Sequence, residues 1–180
     1  PLGSPMKILI SCIGRRGYLA QWFRASGSDV AVVGTSNSPW TAGFSDCDAS
    51  HVLPGIDSET YIDAVADLCS TSRVDALLSV FDRDLHVLSS ASERLRAVGT
   101  TPLLPSADCS TMCLDKLATA TFLQSRGIPC VPTFGDETAL RHALATGRLS
   151  FPIIAKDRFG YGSLRVQTIF DQARLDFELS

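Results

Sequence analysis

Along residues 6–110, short apolar runs alternate with longer stretches of helical spacing. Lys7 to Cys12 is a continuous apolar run of buried-strand type, broken by Gly14, and Tyr18 to Ala25 follows as a helix closed by Ser26-Gly27. Val30 to Val33 is a second such run, which Gly34 is expected to end. Thr35 to Asp48, rich in Ser, Asn, Pro and Gly, predicts a long loop or a short helical turn, and His51-Val52-Leu53 a brief strand. From Ser58 to Ser70 the residues Tyr61, Ile62, Val65, Ala66, Leu68 and Cys69 share one helical face. Asp75 to Val80 predicts another strand, Asp82 to about Arg96 a helix, and Gly99 to Leu104 extended chain. Strands and helices in this alternation, about four βα units, predict a Rossmann-like parallel sheet of α/β class.

The pattern changes beyond Pro105. Leu114, Leu117, Ala118, Phe122 and Leu123 form one helical stripe, and Gly127 stands where a helix-ending glycine belongs. Asp136 is placed to cap a second helix carrying Ala139, Leu140, Ala143 and Leu144, with Gly147 after its end. Phe151 to Lys156 and Leu164 to Ile169 then read as strands around a glycine-containing turn, the grammar of an antiparallel hairpin, before a helix from Asp171 to Leu179. A smaller α+β module is expected over residues 111–180, after an α/β domain over residues 6–110. Residues 1–5, Pro-Leu-Gly-Ser-Pro, read as an expression-tag scar, with the native start at Met6.

Composition narrows the classes. The chain has 180 residues, 45% hydrophobic and 19% charged, with net charge −3 and a pI near 5.5. The sixteen basic residues are scattered apart from Arg15-Arg16, so no basic field draws it to nucleic acid or anionic membrane. The apolar run near Met6 is too short for a signal or a span, and a cytoplasmic protein is expected. Six cysteines without a CxxC pair read as reduced structural thiols, and His51, His86 and His142 are too scattered for a triad or a metal set.

The sharpest local chemistry is the segment Phe151-Pro-Ile-Ile-Ala-Lys156-Asp-Arg-Phe-Gly160-Tyr-Gly162-Ser163. A lysine ending an apolar strand, followed by glycines that let backbone N–H groups approach closely and by a hydroxyl, is a plausible triphosphate clamp. A plain hairpin with a lysine snorkelling at its edge reads equally from the spacing. It is not a Walker loop, because the lysine precedes the glycines. Arg15 and Arg16 follow Gly14 at a helix start and would either contact a substrate carboxylate or solvate the first turn. Asp82 and Asp84 stand at the end of a strand, where ligands dock in open α/β sheets; Asp82 would equally cap the next helix.

These segments together resemble the ATP-grasp superfamily, in particular ligases of the carbamoyl-phosphate-synthase-like kind. Residues 151–163 resemble the glycine-rich flap. Leu114-Asp115-Lys116-Leu117-Ala118-Thr119 and Gly127-Ile128-Pro129-Cys130-Val131-Pro132-Thr133 resemble the helix and entry segments that precede it. Leu77 to Leu85 is similar to the P-x-x-D-x-E-L segment, and Ser11 to Arg16 to the S-x-G-R-R opening. The resemblance implies a Rossmann-like pre-ATP-grasp domain followed by part of the ATP-grasp small subdomain. Lys116, Lys156, Gly160, Gly162 and Ser163 would hold ATP, and Arg15, Arg16, Asp82 and Asp84 would face substrate. For Lys116 a solvated helix lysine beside Asp115 is the alternative from spacing.

The implied activity is ATP-dependent joining of a carboxylate to an amine or ammonia through an acyl phosphate. ATP and Mg²⁺ are the cofactors, the substrates are small molecules, and a homodimer is a compatible assembly. The family's adenine hinge and acidic metal ligands are expected beyond Ser180, so no metal ligand is expected within residues 1–180 and this chain alone is expected to be inactive. Two positions depart from the pattern: Asp157 stands where the flap has proline, and Arg165 where it has a small residue, usually glycine. The rival readings are a non-catalytic binding module and a nucleotide-dependent oxidoreductase, the latter lacking its G-x-G-x-x-G fingerprint.

Overall fold

The computed structural model describes residues 4–27, 29–160, 162 and 165–179. Two compact units divide the chain, Pro1–Ser110 and Thr111–Ser180.

In the first unit, β1 (Met6–Ser11), β2 (Val30–Ser36), β3 (Ala49–Val52), β4 (Ala76–Ser79) and β5 (Thr101–Pro102) form one sheet in the order β3-β2-β1-β4-β5. Every pairing is parallel, with Leu9 opposite Val33 on one side and Leu77 on the other. The central strands are continuous apolar runs because both faces of the sheet are covered. Helix α1 (Tyr18–Ala25) covers one face, where Ile8, Ile10, Ile13, Ala20 and Val32 are buried. Helices α2 (Tyr61–Ser72), α3 (Asp82–Ser90) and α4 (Ser92–Ala97) close the other over Leu9, Val33, Val65, Leu77, Leu88 and Leu95. Each fully buried leucine contributes about 1.5–3 kcal/mol.

The doubly wound arrangement expected from the alternation is present, and four local expectations are corrected. Gly34 does not end β2: it pairs with Ile10 and Ser50. A Cβ there would lie 2.6 Å from Cys47 Sγ, so the glycine admits a neighbour rather than a turn. The helix expected from Asp82 to Arg96 is two, broken at Ala91. Asp82 is not the cap of α3; Phe81 holds that position. Leu114 ends a separate helix, α5 (Ala107–Leu114), rather than beginning the stripe of the next one.

The second unit contains α6 (Lys116–Ser125), α7 (Glu137–Ala145), the antiparallel pair β6 (Ile153–Ala155) and β7 (Gln167–Ile169), and α8 (Gln172–Leu179). Asp136 caps α7 as its spacing predicts, accepting from the Ala139 amide at 2.8 Å. Its buried apolar side chains, among the described residues, are Ala120, Ala143, Ile169 and Leu175. Among the described residues no helix is long and apolar enough to cross a membrane.

Candidate functional site

Two places gather the residues singled out from the sequence, one in each unit. In the first unit the strand order reverses between β1 and β4, and the crevice beyond their carboxyl ends is where open sheets bind ligands. Ser11 ends β1 opposite Ser79 of β4. Cys12 (φ 48°) and Gly14 (φ 54°) then turn the chain through left-handed conformations. The segment Ala42–Asp46, a single 3-10 turn, packs across this corner. Gly43 donates its N–H to Gly14 O at 2.8 Å, and Gly17 leaves no room for a Cβ beside Asp46. With this corner closed by protein, the backbone groups that a dinucleotide would use are partly committed, against the oxidoreductase reading.

Arg15 is exposed and Arg16 half-buried on this corner, and neither has an ion-pair partner among the described residues. The two aspartates part company. Asp82 is exposed at the start of α3, whereas Asp84 is wholly buried. The Tyr61 hydroxyl donates to Asp84 Oδ1, and the same hydroxyl lies 2.9 Å from Ser11 Oγ. Asp84 Oδ2 has no hydrogen-bond partner among the described residues. Thr35 Oγ1, on β2, extends the cluster at 3.5 Å from Ser11 Oγ. Burial and then the Asp84 charge push the Tyr61 phenol upward. The same two causes push the Cys12 thiol up to about 12. A thiol so placed stays protonated and is a poor nucleophile. Tyr61 was legible only as an apolar stripe residue; a tyrosine on a buried face needs a partner for its hydroxyl, and that was the available signal.

In the second unit, Lys156 follows β6 directly and the glycine turn returns into β7 in the register Ile153↔Ile169, Ile154↔Thr168, Ala155↔Gln167. Asp115 caps α6, accepting from the amides of Leu117 and Ala118 at 3.0 and 3.1 Å. The same carboxylate takes both Arg158 Nε (2.8 Å) and Nη2 (2.5 Å). This bidentate pair, with the capped amides, holds the Asp115 carboxyl down at about 2. Lys116 Nζ donates to Gly160 O at 2.9 Å and to Arg158 O at 3.4 Å. The start of α6 and the glycine turn are thus tied together by three side chains.

Lys156 is exposed without a partner among the described residues. Gly162 takes φ 66°. Ser163 lies outside the described residues. A Cβ at Gly160 would meet only ordinary contacts, so this conformation does not itself demand glycine there. The structure brings Lys116 to Gly160, while Arg158, the partner of Asp115, had no signal in the spacing. Among the described residues no three His, Cys, Asp or Glu side chains gather as a metal site.

The fold agrees with known ligases. N5-carboxyaminoimidazole synthetase from Staphylococcus aureus, solved with ADP, superposes with a TM-score of 0.70 at 20% identity, covering 98% of this chain and 44% of that one. The L-amino acid ligase from Bacillus licheniformis gives 0.69 at 21%, covering 98% and 42%. The biotin carboxylase domain of the Hydrogenobacter thermophilus 2-oxoglutarate carboxylase, a dimer with MgADP, gives 0.70 at 16%, covering 98% and 40%. The chain therefore spans less than half the length of these structures and shares the fold of the part that it covers. No curated protein matches the sequence. The profile described as "PylC-like, N-terminal domain" matches residues 8–103, more than half of the sequence, and the chain belongs to that family.

Proposed function

We propose that this chain is the N-terminal portion of an ATP-dependent ligase that activates a small-molecule carboxylate as an acyl phosphate and joins it to an amine or ammonia. The observation that carries the reading is the tie between the start of α6 and the glycine turn. Lys116 bonds to Gly160 O, and Asp115 holds Arg158, so a lysine and a glycine flap from distant segments face one another. In this reading Lys116 and Lys156 neutralise phosphate charge, while Gly160, Gly162 and Ser163 bring backbone donors to it and exclude water. ATP is the cofactor, and Mg²⁺ would accompany it.

At the carboxyl edge of the sheet, Arg15 and Arg16 are the proposed contacts for a substrate carboxylate and Asp82 for a substrate amine. Asp84 would act there only through Tyr61 and the end of β1, because its side chain is enclosed. Residues 6–110 are proposed as the substrate-side domain and 111–180 as the flap subdomain. The setting is a cytoplasmic one, and a homodimer is the assembly to test by light scattering.

The reading is tested by titrating the chain with ATP and ADP while following backbone amide signals. Binding near millimolar, worth about 4 kcal/mol, with shifts centred on Lys116, Lys156 and Gly160–Gly162, is expected. Shifts confined to the first unit, or none, would remove the flap from the site and favour the non-catalytic binding module.

A further inference from the structure

Arg165 holds a backbone conformation that its side chain makes unfavourable: φ is 55°, in the left-handed region where an L-residue crowds its own carbonyl. Gly162, three residues earlier, takes φ 66° with nothing near its Cβ position and no such penalty. A strained residue retained where glycine would fit without cost points to a use for its side chain. That side chain is exposed and has no hydrogen-bond or ion-pair partner among the described residues.

The other cations of the turn set what that use is. Arg158 is committed to Asp115 through two hydrogen bonds, and Lys116 donates to two carbonyls of the turn. Lys156 has no partner among the described residues. Among the described residues the uncommitted positive charge of the hairpin therefore rests on Lys156 and Arg165, one at the end of each arm: Lys156 follows β6 and Arg165 precedes β7. An arginine offers two parallel donors to a phosphate, which a glycine at the same φ does not.

We propose that Arg165 is a phosphate-binding residue of the glycine flap, supplying together with Lys156 the positive charge that holds the polyphosphate of a nucleotide. This rests on the flap being the nucleotide site. The test titrates the chain with inorganic tripolyphosphate, and separately with adenosine, following the backbone amides around residues 156–166. Wild type, R165G, R165K and R165N are compared.

R165G is expected to melt no lower than wild type, because glycine relieves the left-handed backbone, and to bind tripolyphosphate about fivefold more weakly. R165K should recover most of the loss, and adenosine should not distinguish the variants. If R165G does not fold, R165N, whose side chain tolerates this φ, takes its place. Tripolyphosphate affinity unchanged within twofold in R165G or R165N overturns the role of Arg165 while leaving the flap as the site. Wild type showing no shifts at the flap overturns the site itself, and the proposal with it.

Discussion

Tyr61 donates its hydroxyl to one oxygen of the wholly buried Asp84, and the other oxygen of that carboxylate has no hydrogen-bond partner among the described residues. Tyr61 reaches from α2 to the first turn of α3 and to Ser11 at the end of β1, so one phenol joins three elements at the carboxyl edge of the sheet. Removing the hydroxyl with Y61F takes the phenol donor from a buried carboxylate. The loss should be about 2–4 kcal/mol in urea unfolding followed by tryptophan fluorescence. Asparagine at 84 still accepts from Tyr61 and carries no charge, so D84N should lie within about 1 kcal/mol of wild type or above it. A D84N variant that loses as much as Y61F would show that the charge itself is needed.

Two half-buried thiols and a buried phenol give the first unit an alkaline weakness. Burial raises Cys12 from 9.0 to about 12, and Cys47 from 9.0 to about 11, and pushes Tyr61 upward as well. The unfolded chain releases these protons at lower pH than the folded one. Their contribution is therefore whole below pH about 9 and is lost as pH climbs towards the folded values. The melting temperature should fall from pH 9 upward, and C12A/C47A should soften that fall. At pH 8 a thiol reagent should label the exposed Cys109 and Cys113 before Cys12, Cys47 or Cys69.

At the other end of the scale, the Asp115–Arg158 pair sets an acid limit for the second unit. The folded Asp115 carboxyl is held at about 2 against an ordinary 3.8, chiefly by Arg158. The unfolded chain takes up this proton first, so the stabilisation is present above pH about 4 and is lost as pH falls towards 2. Circular dichroism melts between pH 5 and 2 should show the loss, and R158Q should flatten it. An acid limb as steep in R158Q as in wild type would assign the loss to other carboxylates.

Gly34 and Cys47 occupy one space. A Cβ at position 34 would stand 2.6 Å from Cys47 Sγ, so G34A forces the strand or the thiol to move, at about 1–3 kcal/mol. C47A alone should be milder, and the double variant G34A/C47A should recover most of the loss. Additive losses in this cycle would place the strain elsewhere.

The parallel sheet, the order of elements and the family were legible because they rest on local periodicity and short motifs. β1 and β4 are built on the short apolar runs Ile8–Ile10 and Ala76–Leu78, and the stripe of α2 repeats at helical spacing. What escaped depends on partners far along the chain. Arg158 meets Asp115 across 43 residues, and Tyr61 meets Asp84 across 23. No spacing rule connects such pairs, because the register of the intervening elements decides which side chains converge. Gly34 was misread for a related reason: glycine marks both turns and close approaches, and only the position of Cys47 tells them apart. Ala91, where one expected helix becomes two, carries no proline or glycine signal at all.

The two units also differ in what opening them would require. Leu9, Ile10, Ile13, Leu77, Leu88 and Leu95 are fully enclosed in the first unit, whereas the second buries mainly two alanines, Ile169 and Leu175 among its described residues. So thin a core gives cooperative segments of low local unfolding energy, and amide exchange should be fastest in the hairpin and its flanking helices. The sheet should therefore stay closed through many local openings of the hairpin.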